Sequence, residues 1–302
     1  MQRQVRIPEV QENPKPPPWG EYWEPIRRNR AHSRRLRKLG ASKRRALITV
    51  VHNEPVFLPI WLGYYSRFFA PDDLYVIDNE TTDGSTDIGG FVRIPGQYDP
   101  FASRNLKAVE KLQHELLEGE YDVVLVTDVD EIVTPTPEWG TLGEYMDEFA
   151  EWFVTCIGYE LLHMIDREEP YDPSRPILDQ RGYWFANGAY NKPALATEPM
   201  SWVPGFHHRT DERLNYDPDL RLIHLHRMDY ELCRTRHLSR TDGASTELDR
   251  EEGLIVRNWP AEEGDFERWF YEERWFYEDS GFEGDAVHIE VERIPESFRG
   301  LF

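Results

Sequence analysis

Residues 122–135 read DVVLVTDVDEIVTP, an apolar, β-branched run that ends in closely spaced carboxylates. An apolar run without polar alternation suits a strand buried on both faces, as in a parallel sheet. If the extended backbone continues through the carboxylates, Asp128 and Asp130 share one face. Glu131 then points away, or reaches the outer shell of whatever the pair binds. Two hard oxygen ligands at a strand end can hold Mg2+ or Mn2+ and leave positions open for phosphate oxygens. A chain with 56 acidic residues also makes such pairs by chance. Asp217-Pro-Asp219 is a second one, and its proline and polar surroundings read as a turn.

Upstream, residues 46–55 (ALITVVHNEP) form another short apolar run closed by polar residues, and 74–78 (LYVID) a third, stopped by the turn-rich NETTDGSTD. Between them, 57–69 (FLPIWLGYYSRFF) carries an apolar stripe at helical spacing, with Pro59 tolerated in the first turn. Residues 91–95 read as a further strand. Residues 103–118 (SRNLKAVEKLQHELLE) read as an amphipathic helix with Ser103 at its N-cap, ended by Gly119. Strands alternating with helices imply an α/β fold with a mostly parallel central sheet flanked by helices. Ligands gather at the carboxyl ends of such strands. Asp78 sits at one of those ends, where its carboxylate suits a base or ribose contact or an Asx-type turn, and the two are compatible. Beyond residue 135 the pattern is less regular, with strands expected at 152–162 and at 221–227 (RLIHLHR). On that last strand His224 and His226 share a face, and neutral imidazole is a good ligand for Mn2+.

Four segments in consistent order carry a resemblance: VVHNEPVFLPIWLGYYSR, VIDNETTDGSTD, SRNLKAVEKL and YDVVLVTDVDEIV. Together they resemble glycosyltransferase family 2-type proteins of the GT-A fold, in particular a subgroup with an HNE start and a D-x-D-E strand. RLIHLHRMDYELC resembles that subgroup's late His-containing strand. The likeness spans roughly residues 45–240. It implies a GT-A-like nucleotide-diphospho-sugar transferase domain in which His52, Asn53 and Glu54 border the nucleotide and Asp78 meets its base or ribose. It further implies that Arg104 contacts the diphosphate or sugar, and that Asp128 and Asp130 hold Mn2+ or Mg2+ with His224 or His226 as a late ligand. The partners implied are a nucleotide-diphosphate sugar and a glycan or lipid-linked acceptor. Asn79 stands where many family members have a second Asp, which leaves base recognition open. For the acceptor-side base, Glu160, Asp166, Glu198 and Asp211 are not separated by anything in the sequence.

Two other readings compete with transfer of a hexose from that donor. One is a haloacid-dehalogenase-type phosphatase with Asp128 as nucleophile; against it, Glu131-Ile132 follow the motif where such domains carry Gly-Thr. The other is a catalytically silent nucleotide- or partner-binding protein of the same fold.

The ends of the chain differ in character from its middle. Residues 1–44 comprise a Pro-rich leader and a basic arm, RRNRAHSRRLRKLGASKRR at 27–45. The last segment, 241–302, is acidic, aromatic and expected to be helical, with ERWFYE occurring twice in succession. The net charge of −21 argues against nucleic acid as a partner. No run approaches the ~20 apolar residues of a membrane span, so the expectation is a cytoplasmic protein. Its basic arm either touches anionic lipid peripherally or folds onto the acidic tail. Cys156 and Cys233, each in an apolar stretch, read as buried hydrophobes rather than a disulfide framework.

Overall fold

The computed structural model describes residues 7–11, 30–97, 103–241, 263–272 and 289–302. The chain divides into two compact units, one of residues 17–158 with 190–223, the other of 1–16 with 159–189 and 224–302. The repeated ERWFYE of residues 273–278, and residues 12–29 of the leader and the start of the basic arm, lie outside the described residues.

The first unit holds α1 (Arg30–Leu39), β2 (Arg45–Val51), α2 (Phe57–Tyr65), β3 (Leu74–Asp78), β4 (Val92–Pro95), α3 (Ser103–Glu118), β5 (Val123–Val126), β6 (Glu131–Pro135) and α4 (Leu142–Glu148). It also takes β9 (Lys192–Ala196), most of β10 (Tyr216–His224) and the first part of β7 (Phe153–Leu161). β4, β3, β2 and β5 lie side by side and parallel. β2, β3 and β5 are nearly all apolar and buried, whereas β4, at the edge, alternates half-buried with exposed residues. α3 packs Leu106 and Val109 among Ala46, Ile48, Ile77, Val124 and Val126. Beyond β5 the pairing changes hand: β9 is antiparallel to both β5 and β7. The sheet is therefore mixed rather than mostly parallel, since the strands after residue 150 return without the helical crossovers that parallel neighbours require.

The other unit contains β1 (Val10–Gln11), α5 (Ile177–Gln180), β8 (Tyr183–Ala186), α6 (Tyr230–Thr241), α7 (Glu263–Glu272) and β11 (Val291–Arg293). β11 pairs parallel with β1 and antiparallel with β8, which pairs antiparallel with the end of β7. Its core is aromatic: Phe266, Trp269, Phe270 and Tyr271 of α7 pack with Tyr183, Phe185, Leu162 and Cys233. The first ERWFYE copy thus supplies helix residues whose aromatics fill a core.

Three local expectations are corrected. The run 122–135 is two strands, β5 and β6, separated by a turn at 127–130. β10 begins at Tyr216, so Asp217 and Asp219 open a strand instead of making a turn, and Asp217 accepts from the Tyr145 hydroxyl at 2.6 Å. The same strand stops at His224, which leaves His226 in the turn that follows. Among the described residues no helix is long and apolar enough to cross a membrane.

Candidate functional site

β2, β3 and β5 end side by side, with Val51 opposite Asp78 and Ile48 opposite Val126. The polar segments singled out in the sequence are the loops that leave these ends. His52 follows β2. Its Nδ1–H donates to the Asn79 carbonyl at 2.7 Å, and its Nε2 accepts from the Asn53 amide at 3.2 Å. Asn53 has a left-handed backbone, φ 53°, which Asn tolerates better than most residues. That conformation turns its Oδ1 to accept from the Thr82 and Asp83 amides at 2.8 and 3.2 Å. The Glu54 amide donates to the Ser85 hydroxyl at 3.2 Å. The HNE segment is therefore a brace that ties the loop after β2 to the loop after β3.

Asp78 is buried, and both its oxygens are engaged. Oδ1 accepts from the Thr81 amide at 2.8 Å, which makes the Asx-type turn. Oδ2 accepts from Arg93 Nε at 2.6 Å and from the Thr86 hydroxyl at 3.3 Å. Burial alone would raise its pKa, but the Thr81 bonds and the Arg93 guanidinium outweigh it and hold the carboxyl below its ordinary value. Gly96 closes the same corner: its amide donates to the Asp78 carbonyl at 2.8 Å, and a Cβ there would lie 2.8 Å from that oxygen.

The carboxylates after β5 are arranged by Glu131. Its amide donates to the Asp128 carbonyl at 3.1 Å, and its carboxylate accepts from the Asp128 amide at 2.7 Å, so one residue closes the turn from both sides. Such side-chain-to-backbone bonds compete with extended structure, which is why Asp128 and Asp130 do not continue the strand. The Asp128 side chain keeps 44% of its surface, whereas Asp130 is buried. Helix α2 holds the turn from behind. The Trp61 indole donates to the Thr127 hydroxyl at 2.9 Å, and the Tyr65 hydroxyl donates to the Glu131 carbonyl at 3.2 Å while accepting from the Val133 amide at 2.8 Å.

Lys192 is the residue that the sequence reading missed. Its ammonium, fully buried at the start of β9, lies 2.6 Å from Glu131 and 3.0 Å from Asp128. Burial favours the neutral amine, but the two carboxylates outweigh it and raise the pKa above the ordinary lysine value. The one available signal was a lysine opening an otherwise apolar strand, KPALA, because a lysine is almost never fully buried without a partner.

No known protein family and no curated protein matches this chain. One solved structure, titled "Crystal Structure of a Mycobacterial Protein", aligns over 46% of this chain and 48% of that one, at 14% identity and a TM-score of 0.29. At that level the likeness bears on neither fold nor function.

The Arg104 side chain lies outside the described residues. His224 and His226 belong to the second unit. There the His224 Nδ1 lies 2.9 Å from the buried Glu160 carboxylate, while His226 Nε2 meets His237 Nε2 at 2.8 Å. Of the four carboxylates considered as acceptor-side bases, Glu198 and Asp211 are both bound by Arg209 and Arg213. Asp166 pairs with Arg167, and Glu160 is committed to His224 and the Arg227 amide. Residues 30–39 of the basic arm form α1. It docks through Leu36 and through His32, whose ring stacks on Trp152 at 3.8 Å and bonds the Thr197 hydroxyl, and it leaves Arg34, Arg35, Arg37 and Lys38 exposed.

Proposed function

We propose that the unit of residues 17–158 and 190–223 binds a nucleotide-diphosphate sugar at the ends of β2, β3 and β5, and that the protein is a glycosyltransferase of GT-A type. The observation that supports this reading is the convergence of the HNE, IDNETTDGST and D-x-D-E segments at the carboxyl ends of three adjacent parallel strands. Such strand ends are where open α/β sheets take their ligands. The donor set suits a hard divalent cation: Asp128 and Asp130 lie on one tight turn, and Asp128 retains exposure. Mn2+ or Mg2+ bound there would neutralise negative charge on the diphosphate leaving group.

The chain's own residues prepare that place. Lys192 and Glu131 fix the turn that presents Asp128, and α2 braces it through Trp61 and Tyr65. His52 and Asn53 fix the loop after β3, while Arg93 neutralises Asp78. One observation favours a silent binding protein instead, namely that Lys192 already supplies a positive charge to Asp128.

Thermal stability in the presence of nucleoside diphosphates, with and without Mn2+, tests the proposal. Stabilisation that needs both nucleotide and metal and is lost in Asp128→Asn is the expected result. Release of nucleoside diphosphate from a sugar nucleotide separates the enzyme from the silent binder. No shift with any nucleotide overturns the reading.

A further inference from the structure

Among the described residues, three metal-ligating side chains converge at one buried point of the second unit. His226, Cys233 and His237 are each almost wholly inaccessible, and one ligand atom from each lies within 4.8 Å of the others. Local structure accounts for the convergence. Asp229 caps α6, accepting from the Leu232 amide at 3.0 Å, and its carbonyl receives the Cys233 amide at 3.0 Å. Cys233 and His237 follow four residues apart, so they share one face of the helix. His226 precedes the cap on the turn that ends β10 and brings its ring to that face. The surroundings are aromatic: Trp269 lies 4.4 Å from the His237 ring and 5.9 Å from that of His226, and Phe266 lies 5.2 Å from His237.

We infer that His226, Cys233 and His237 form a site for a single thiophilic transition-metal ion of the Zn2+ class. The inference does not rest on the glycosyltransferase reading, whose carboxylate turn lies in the other unit. The donor set is one thiolate and two imidazoles, which selects soft and borderline ions over Mg2+ or Ca2+. A hydrogen-bonded histidine pair would by itself account for the two rings, but not for a thiol brought to the same point.

The proton positions are set by Arg236. Its Nη1 lies 2.9 Å from His226 Nδ1, and a guanidinium can only donate. Nδ1 of His226 therefore accepts, and the neutral ring carries its proton on Nε2, which donates to His237 Nε2. His237 already turns a lone pair toward the cluster, whereas His226 turns a proton. Metal binding moves the His226 proton from Nε2 to Nδ1, which breaks the Arg236 bond, and releases the Cys233 thiol proton to solvent. One proton leaves per ion bound, with no redox change. Arg236 is thus a latch on the site.

Titration of the reduced, metal-stripped full-length protein with Co2+, followed by competition with Zn2+, tests this inference. One equivalent of Co2+ is expected to give thiolate-to-cobalt charge transfer and tetrahedral ligand-field bands, both bleached by Zn2+. The bands persist in Cys156→Ser, which alters the other buried cysteine, and vanish in Cys233→Ser. Circular dichroism establishes that each variant is folded. Arg236→Met is expected to bind about tenfold more tightly, because one charged hydrogen bond no longer opposes the tautomer change. Absence of charge transfer in the folded wild type, or its persistence in Cys233→Ser, overturns the site. Weaker binding by folded Arg236→Met overturns the latch.

Discussion

The Lys192 ammonium and the Glu131 carboxylate lie 2.6 Å apart with both side chains shut off from solvent. Removing the ammonium leaves the Glu131 carboxylate buried without its counter-charge, a change that destabilises by about 3–5 kcal/mol. Lys192→Met is therefore expected to lower the urea midpoint sharply. Lys192→Met combined with Glu131→Leu removes both charges and should lose less than the two single changes added together. Equal, additive losses in the double variant would mean that the two charges do not sense each other.

Asn53 combines a left-handed backbone with a carbonyl oxygen that holds two amides of the neighbouring loop. Asn53→Ala loses the bonds and adds strain of about 1–2 kcal/mol, whereas Asn53→Gly loses the bonds alone. The glycine variant should be the more stable of the two. Hydrogen exchange at Thr82 and Asp83 should accelerate equally in both, which separates the brace from the strain.

Tyr65 tests how α2 holds the carboxylate turn. Its hydroxyl serves the Glu131 carbonyl and the Val133 amide together. Tyr65→Phe keeps the ring and strands both backbone groups, at a cost of about 1–3 kcal/mol. If the turn depends on this hydroxyl, the variant also weakens any Mn2+-dependent nucleotide binding. Loss of stability with unchanged binding would confine Tyr65 to the core.

How far these arrangements were legible depended on the distance over which their partners act. β3 at 74–78 and α3 at 103–118 match their sequence patterns because burial on both faces, or on one stripe, is written in the local order of residues. The turn at 127–130 was not legible, since Glu131 finds its ammonium 61 positions away. Nor was the end of β10: the Glu160 carboxylate takes both the His224 ring and the Arg227 amide, and turns the chain before His226. α2 stops at Tyr65 although the apolar stripe runs to Phe69, because 66–69 tighten into turns with the Arg67 amide on the Tyr64 carbonyl. Of the motif residues, the sequence located the loops correctly but not the partners that set their geometry.

His163 gives the second unit a defined response to acid. Its Nε2–H donates to the Glu168 carbonyl at 3.1 Å, and its Nδ1 accepts from the Tyr230 amide at 3.1 Å, so both nitrogens are satisfied only in the neutral ring. Burial, reinforced by Arg181, holds its pKa below the ordinary 6.5, against the opposing pull of Glu168 and Asp229. The unfolded chain takes up this proton more readily than the folded one, so stability from this group is complete above pH 6.5 and falls as the pH drops toward the depressed folded value. The urea midpoint of the wild type should decline as the pH falls below about 6.5, the ordinary histidine value. In His163→Gln, which cannot titrate, that decline should shrink even though the variant is less stable at neutral pH. An identical acid slope in the variant would assign the response to other groups.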